Sequence, residues 1–187
     1  MSGPEQLWVS DITYIRTVEG FSYLSLITDA YSRKIVGYAL CPTLEAIGSM
    51  EALAMAIEQR SYKNNSRLIH HSDRGIQYCC YDYVETLIKE GISISMTQSG
   101  SPYENAMAER VNGIIKNDFS PKIIYQNHLQ AQRAIQKNIQ VYNEKRPHLS
   151  LSYMTPGVAH EHEGSIQKSW KQYPKKIKEE VIMEKEE

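Results

Sequence analysis

Three acidic residues carry the chemistry this sequence can do. Asp11 interrupts the strand-like run LWVSDITYIR, Asp73 follows the string SRLIHHS, and Glu109 lies in a helical pattern running from Pro102 to about Asn117. A carboxylate inside a strand is costly unless it is solvated, paired or bound to a cation. In α/β sheets, ligands gather at the carboxyl ends of parallel strands, which is where Asp73 would sit. Each acid alone has a plainer reading: a strand-end residue facing water, a turn Asp bonded to its own backbone beside Gly75, and a solvated helix face. Together they can converge on one spot. Three carboxylates supply the hard oxygen ligands that Mg²⁺ or Mn²⁺ prefers. Two such ions, ~3.5–4 Å apart, activate a hydroxyl nucleophile and stabilise the leaving oxygen in phosphoryl transfer.

The helix around Glu109 has two faces. Taking Glu109 as zero at ~100° per residue, Asn105, Asn112 and Lys116 fall within about 60° of it. Met107, Ala108, Val111, Ile114 and Ile115 fall on the opposite side. Asn is a mediocre helix former, so two Asn on one face invite a specific reason.

The elements that must position these residues read as follows. LWVSDITYIR, FSYLSLITDAYS and KIVGYALC are rich in β-branched and aromatic residues and are separated by turn signals, which predicts an antiparallel meander. After Pro42 the period becomes helical, with Leu44, Ile47, Ala52, Leu53, Ala54, Ala56 and Ile57 on the stripe and Thr43 as cap. SRLIHHSD reads as a fourth strand, YDYVETLIKEG as a helix closed by Gly91, and ISISMTQ as a fifth strand. SGSPYEN is a turn-rich loop. HLQAQRAIQKNIQVYNEKR is a long helix ending before Pro147. The order predicts an α/β fold: a five-stranded mixed sheet, three antiparallel strands then two parallel, flanked by helices. Residues 1–6 precede the folded core at 7–158, and 159–187 read as a charged, flexible tail with at most one helix.

Composition sets limits. The 187 residues are 41% hydrophobic and 23% charged, which excludes wholesale disorder. No apolar run reaches the ~20 residues of a membrane helix, and no signal-peptide pattern opens the chain. Cys41 and the adjacent Cys79 and Cys80 lack disulfide or zinc-ligand spacing, so no zinc is expected. A net charge of −1 argues against a nucleic-acid partner. The distribution says otherwise: residues 1–59 carry about −4, whereas 110–173 carry about +5.

Asp73 and Glu109 are separated by 35 residues, and at these residues the chain resembles a known family. The interval resembles the D,D-35-E signature of retroviral integrases and insertion-sequence transposases. The strings WVSDITYI, YLSLITDAYSRKIVGY, HHSDRGIQY, GISISMTQSGSPYENAMAERVNGIIK and YNEKRPHLSL, with a terminal TP, are similar to the third insertion-sequence transposase family across residues 7–157. The resemblance implies an RNase H-like fold. It implies Asp11, Asp73 and Glu109 as catalytic and metal-binding acids, with Mg²⁺ or Mn²⁺, as two ions, for cofactor. It implies DNA contacts from Lys116 and Arg74, with Asn105, Asn112 and Arg110 as further candidates. The activity implied is metal-dependent cleavage and strand transfer at transposon ends by a homo-oligomer on DNA. The setting implied is the bacterial cytoplasm, at the nucleoid when bound, with no membrane partner. Asp29 reads as structural, and His70 and His71 as more often structural than functional.

Relatives of this kind carry an upstream helix-turn-helix, so this chain is expected to be the core without it, binding DNA weakly by itself. The alternatives are a plain RNase H-like nuclease acting on RNA–DNA hybrids and a non-catalytic DNA-binding protein derived from a transposase.

Overall fold

The computed structural model describes residues 1–61, 68–98 and 105–166. The strands are β1 (Leu7–Thr17), β2 (Gly20–Asp29), β3 (Ile35–Cys41), β4 (Ile69–Ser72) and β5 (Ser93–Met96). The helices are α1 (Ala46–Glu58), α2 (Ile76–Cys79), α3 (Tyr81–Lys89), α4 (Ala106–Gly113), α5 (His128–Lys145) and α6 (Pro156–His160). A π-helical turn, Ile114–Asp118, extends α4, and a short 3₁₀ turn covers Leu149–Leu151.

The five strands form one sheet in the order β3-β2-β1-β4-β5. β1–β2 and β2–β3 pair antiparallel, and β1–β4 and β4–β5 pair parallel, as the sequence predicts. The order follows from connection length. Tight turns join the antiparallel strands, whereas β4 reaches the far side of β1 only through α1.

Alternation divides the core into two layers. Trp8 and Ile27 face one side, where Ala52 and Leu53 of α1 and Tyr83 and Leu87 of α3 cover them. Leu24, Leu26 and Ile15 face the other, under Ile115, Ile135, Ile139 and Tyr142. Each such fully buried side chain contributes ~1.5–3 kcal/mol of transfer free energy. Gly37 permits the first layer: a Cβ there would sit 2.1 Å from the Ala52 carbonyl oxygen, so only glycine lets α1 lie this close to β3. Gly91, at φ +66, ends α3 in the left-handed conformation its position predicts.

Several elements depart from the sequence reading. α1 begins at Ala46, after Glu45, without a side-chain cap from Thr43, and Leu44 and Ile47 are exposed. Its buried stripe is Ser49, Ala52, Leu53 and Ala56, an i, i+3, i+4, i+7 set that small residues make easy to misplace. The loop expected from residue 99 and the helix start expected at Pro102 lie largely outside the described residues. So does the tail from 167 onward. Residues 159–166 pack against the rest of the chain. Thr155 accepts from the Val158 amide to cap α6, with Pro156 in its first turn. His160 Nδ1 lies 2.9 Å from Ser32 Oγ, and the Gly164 amide donates to the Ser2 carbonyl.

Candidate active site

β1 and β4 run parallel with Trp8 opposite His70 and Val9 opposite His71. Continuing that register two residues sets Asp73 alongside Asp11, just where β4 ends. Asp73 Oδ1 accepts from the Gly75 amide at 2.9 Å, so the expected turn bond is present. That bond occupies one carboxylate oxygen and holds the other at the strand exit. Arg74 is exposed and its Nε donates to the Thr97 carbonyl at 2.7 Å, tying the exit of β4 to the end of β5.

α4 lies across β1 on the Asp11 side. Its polar face, read from sequence as facing outward, is partly closed against the sheet: Asn105 and Asn112 are both buried. Asn105 Nδ2 donates to the Ser10 carbonyl at 2.9 Å, and Asn112 Nδ2 donates to Asp11 Oδ2 at 2.8 Å. These two bonds fix the helix on the strand. They set Glu109, exposed and three residues before Asn112, one helical turn from the bond to Asp11. Both Asn residues keep a buried Oδ1 without a hydrogen-bond partner among the described residues.

The electrostatics of Asp11 register this arrangement. Burial pushes its carboxyl up to about 6, and the like charges of Asp73 and Glu109 add to the rise. The Asn112 amide and the Ile12 backbone oppose it. The three acids therefore act on one another, although among the described residues no group of three or more His, Cys, Asp or Glu is gathered tightly enough to hold an ion.

Lys116 lies on the π-helical turn that extends α4. It is exposed and lines a cavity of about 420 Å³ with Ile15, Arg16 and Lys122, some four residues or ~13 Å along β1 from Asp11. Arg110 is exposed beside Glu109.

The remaining candidates are structural. Asp29 is fully buried: Oδ1 accepts from the Tyr31 and Ser32 amides and the Ser32 hydroxyl, and Oδ2 from the Glu5 amide. It thereby builds the β2–β3 turn and anchors the start of the chain. His70 is buried on the far side of the sheet, with Nε2 2.7 Å from Ser10 Oγ and 2.9 Å from the Tyr83 hydroxyl. Burial drops its pKa to about 4, so it is neutral. His71 Nδ1 lies 2.9 Å from Ser95 Oγ on β5. Sequence reasoning missed Ser10 as the anchor of Asn105, because a backbone acceptor leaves no residue-type signal.

The integrase core domain profile matches residues 2–102, and a second integrase core domain profile matches 90–156. The chain belongs to the integrase core domain family. The "Insertion element IS600 uncharacterized 31 kDa protein" of Shigella sonnei is 38% identical over 161 residues, 86% of this chain and 58% of that protein. Transposase InsF for insertion sequence IS3A of Escherichia coli strain K12 is 42% identical over 108 residues, 58% of this chain and 37% of that protein. This integrase core thus spans about half the length of the curated relatives it matches. Transposases of insertion sequences are among the proteins to which it is similar. Among solved structures, the HTLV-2 integrase catalytic core domain in complex with magnesium superposes with a TM-score of 0.66 at 20% identity, over 84% of this chain and 97% of that one. The simian T-cell lymphotropic virus intasome gives 0.69 at 17% identity, over 87% and 56%. The fold is RNase H-like. No described helix is long and apolar enough to cross a membrane.

Proposed function

We propose that this chain is the catalytic core of a transposase that cleaves one DNA strand at the end of an insertion sequence and joins the freed 3′-hydroxyl to a target phosphodiester. The observation that carries the reading is the docking of α4 on β1 through Asn112 and Asp11, which sets Glu109 near the place where the β1–β4 register brings Asp11 and Asp73 together. Asp11, Asp73 and Glu109 are the catalytic acids in this reading.

The donor set fits divalent cations of the Mg²⁺ or Mn²⁺ type, two in number. All three side chains offer hard carboxylate oxygens, Asp11 is raised by burial and further by its like-charged neighbours, and the buried Asn112 Oδ1 has no partner among the described residues. When bound, such ions activate the attacking hydroxyl and stabilise the leaving oxygen. The protein's own part is positioning. Asn112 orients Asp11, Asn105 pins α4, and Arg74 braces the strand exit beside Asp73. Lys116 and Arg110 offer guanidinium and ammonium charge to phosphates. Two ends must be held for joining, so a homo-oligomer on DNA is the working form, in the bacterial cytoplasm and at the nucleoid when DNA-bound.

The test is a strand-joining assay with labelled transposon-end duplexes and Mg²⁺ or Mn²⁺, comparing the wild type with Asp73→Asn. The expected outcome is loss of cleavage and joining with unchanged melting. A variant that joins ends at the wild-type rate overturns the reading. Preferential cleavage of an RNA–DNA hybrid by the wild type selects the nuclease alternative instead.

A further inference from the structure

A second concave surface lies on the other flank of α4. A cavity of about 380 Å³ is lined by Arg33, Met107, Arg110, Tyr142 and His148 among others. A second, of about 530 Å³, continues it past Arg146, Pro147, Leu149 and Tyr153. The two share Arg110, Ile114, His148 and Ser150, so they form one groove. Most of the YNEKRPHLSL string, to which the three acids give no role, lines it.

The groove is cationic in an unusual way. Arg33 is half-buried, and no carboxylate among the described residues pairs with Arg33 or Arg110. Its guanidinium faces the Met107 thioether instead. A cation removed from water without a direct ion-pair partner is destabilising, and burial opposes the Arg33 charge more than Tyr142 and the more distant Asp29 support it. The backbone nonetheless holds it there: Arg33 has φ +65, in the turn that Asp29 builds, and the Tyr142 hydroxyl donates to its carbonyl at 3.0 Å. His148 lies edge-on to Tyr142 at 5.1 Å, and burial together with Arg146, Arg33 and Arg110 drops it to about 4. Arg33, Arg110 and Arg146 thus all act on a neutral imidazole, and of the three only Arg146 is paired, with Asp118 at 3.0 Å. The apolar part of the lining is Met107, Val111 and Ile114, on the same helix face as Arg110. At the lip, Tyr153 is 65% exposed, and both Ser152 and Tyr153 adopt left-handed backbone that non-glycine residues rarely take.

We propose that this groove binds an unpaired DNA strand, with a base against the apolar lining and Tyr153, and its phosphates on Arg33 and Arg110. The inference rests on the DNA-transferase reading and extends it to the form of DNA engaged beside the acids. A stacked duplex presents only phosphates to a groove. An apolar lining, a tyrosine lip and unpaired guanidiniums in ~300–1,000 Å³ suit a nucleotide whose base is free. Glu109 and Arg110 are neighbours on α4, so a strand lying here leads towards the acids.

The test uses fluorescence anisotropy on the 187-residue protein without divalent cations. The probes are an oligothymidylate of about 20 nucleotides, longer than the ~4–16 a single-strand groove covers, and a duplex of equal length. Arg110→Gln and Tyr153→Ala alter exposed side chains, so urea unfolding is expected to be unchanged. Tyr153→Ala is expected to weaken single-strand binding about tenfold. Arg110→Gln is expected to lower the log–log salt slope by about 0.7. Tyr153→Ala is expected to leave duplex affinity within about twofold. An equal loss on the duplex for Tyr153→Ala, unchanged single-strand affinity in both variants, or no single-strand binding by the wild type each overturn the proposal. Asp73→Asn separates the two readings: it is expected to bind the single strand normally while joining nothing. If it joins DNA, the transferase reading falls, whatever the groove binds.

Discussion

Ser10 and Asp11 are neighbours on β1, and their side chains enter opposite sides of the same sheet. Beside Ser10, polar side chains pair with one another inside the protein. Its hydroxyl and that of Tyr83 meet at the neutral His70 imidazole, which is 1% exposed. Beside Asp11, charge accumulates instead: a carboxyl raised to about 6, two further acids acting on it, and one amide donor from Asn112. The same two strands thus carry a closed neutral network on one side and an unresolved negative cluster on the other. The first can only stabilise. The second is a concentration of like charge, which is where a bound cation would act under the proposed function.

The comparison can be broken on either side. The largest effect is expected on the charged side: Asp73→Asn or Asp11→Asn should lower strand joining by at least ~10³-fold, the scale for losing a group that acts on transition-state charge. Asp11→Asn should also leave urea stability at pH 7 unchanged or higher, because it removes a carboxylate the fold disfavours. A clear loss of stability there would make Asp11 part of the scaffold. On the neutral side, His70→Leu leaves the Ser10 and Tyr83 hydroxyls unpaired and should cost about 2–4 kcal/mol in urea unfolding.

pH separates the two sides by sign. His70 is depressed to about 4 from 6.5, so its contribution is present above about pH 6.5 and is lost as pH falls through about 4. His148 and His160, also depressed, act in the same direction. Asp11 is raised, so its contribution is present below its ordinary 3.8 and is lost as pH rises through about 6. A stability–pH profile of His70→Leu should therefore have a shallower acid limb, and Asp11→Asn a steeper one. The reverse order would dismiss the comparison. The smallest effect is expected at Lys116→Ala: a few-fold weaker binding of duplex ends, with a salt slope lower by about 0.9. An unchanged slope would remove Lys116 from the DNA surface.

Much of this was legible because burial imposes periods on the sequence. The alternation of β1 and β2 and the 3.6-residue stripe of α5 predicted five strands and the long helix near their observed bounds. The three acids were legible because a carboxylate within an apolar pattern needs a reason. The polar face of α4 was legible as a face, but not as one that docks. A helical wheel shows which residues share a side, not what lies opposite. Here the Ser10 carbonyl and Asp11 lie opposite, and they draw Asn105 and Asn112 inward. The π-helical turn that carries Lys116 left no pattern, because IIKND reads equally well as α-helix. Arg33 was invisible as a groove residue, since its left-handed backbone follows from a turn closed by Asp29 and Glu5.

By itself, the sequence determined the order of the strands and the mixed sheet and singled out three acids, through local periodicity and the cost of misplaced charge. Only the tertiary structure decided which polar groups cancel one another. It paired Ser10 with His70 and left Asp11 among like charges. It also brought Arg33, Arg110 and Arg146, far apart in the chain, to one groove and, among the described residues, paired only Arg146 of the three. Pairing depends on distances between residues remote in sequence, and those distances exist only once the sheet and its helices have closed.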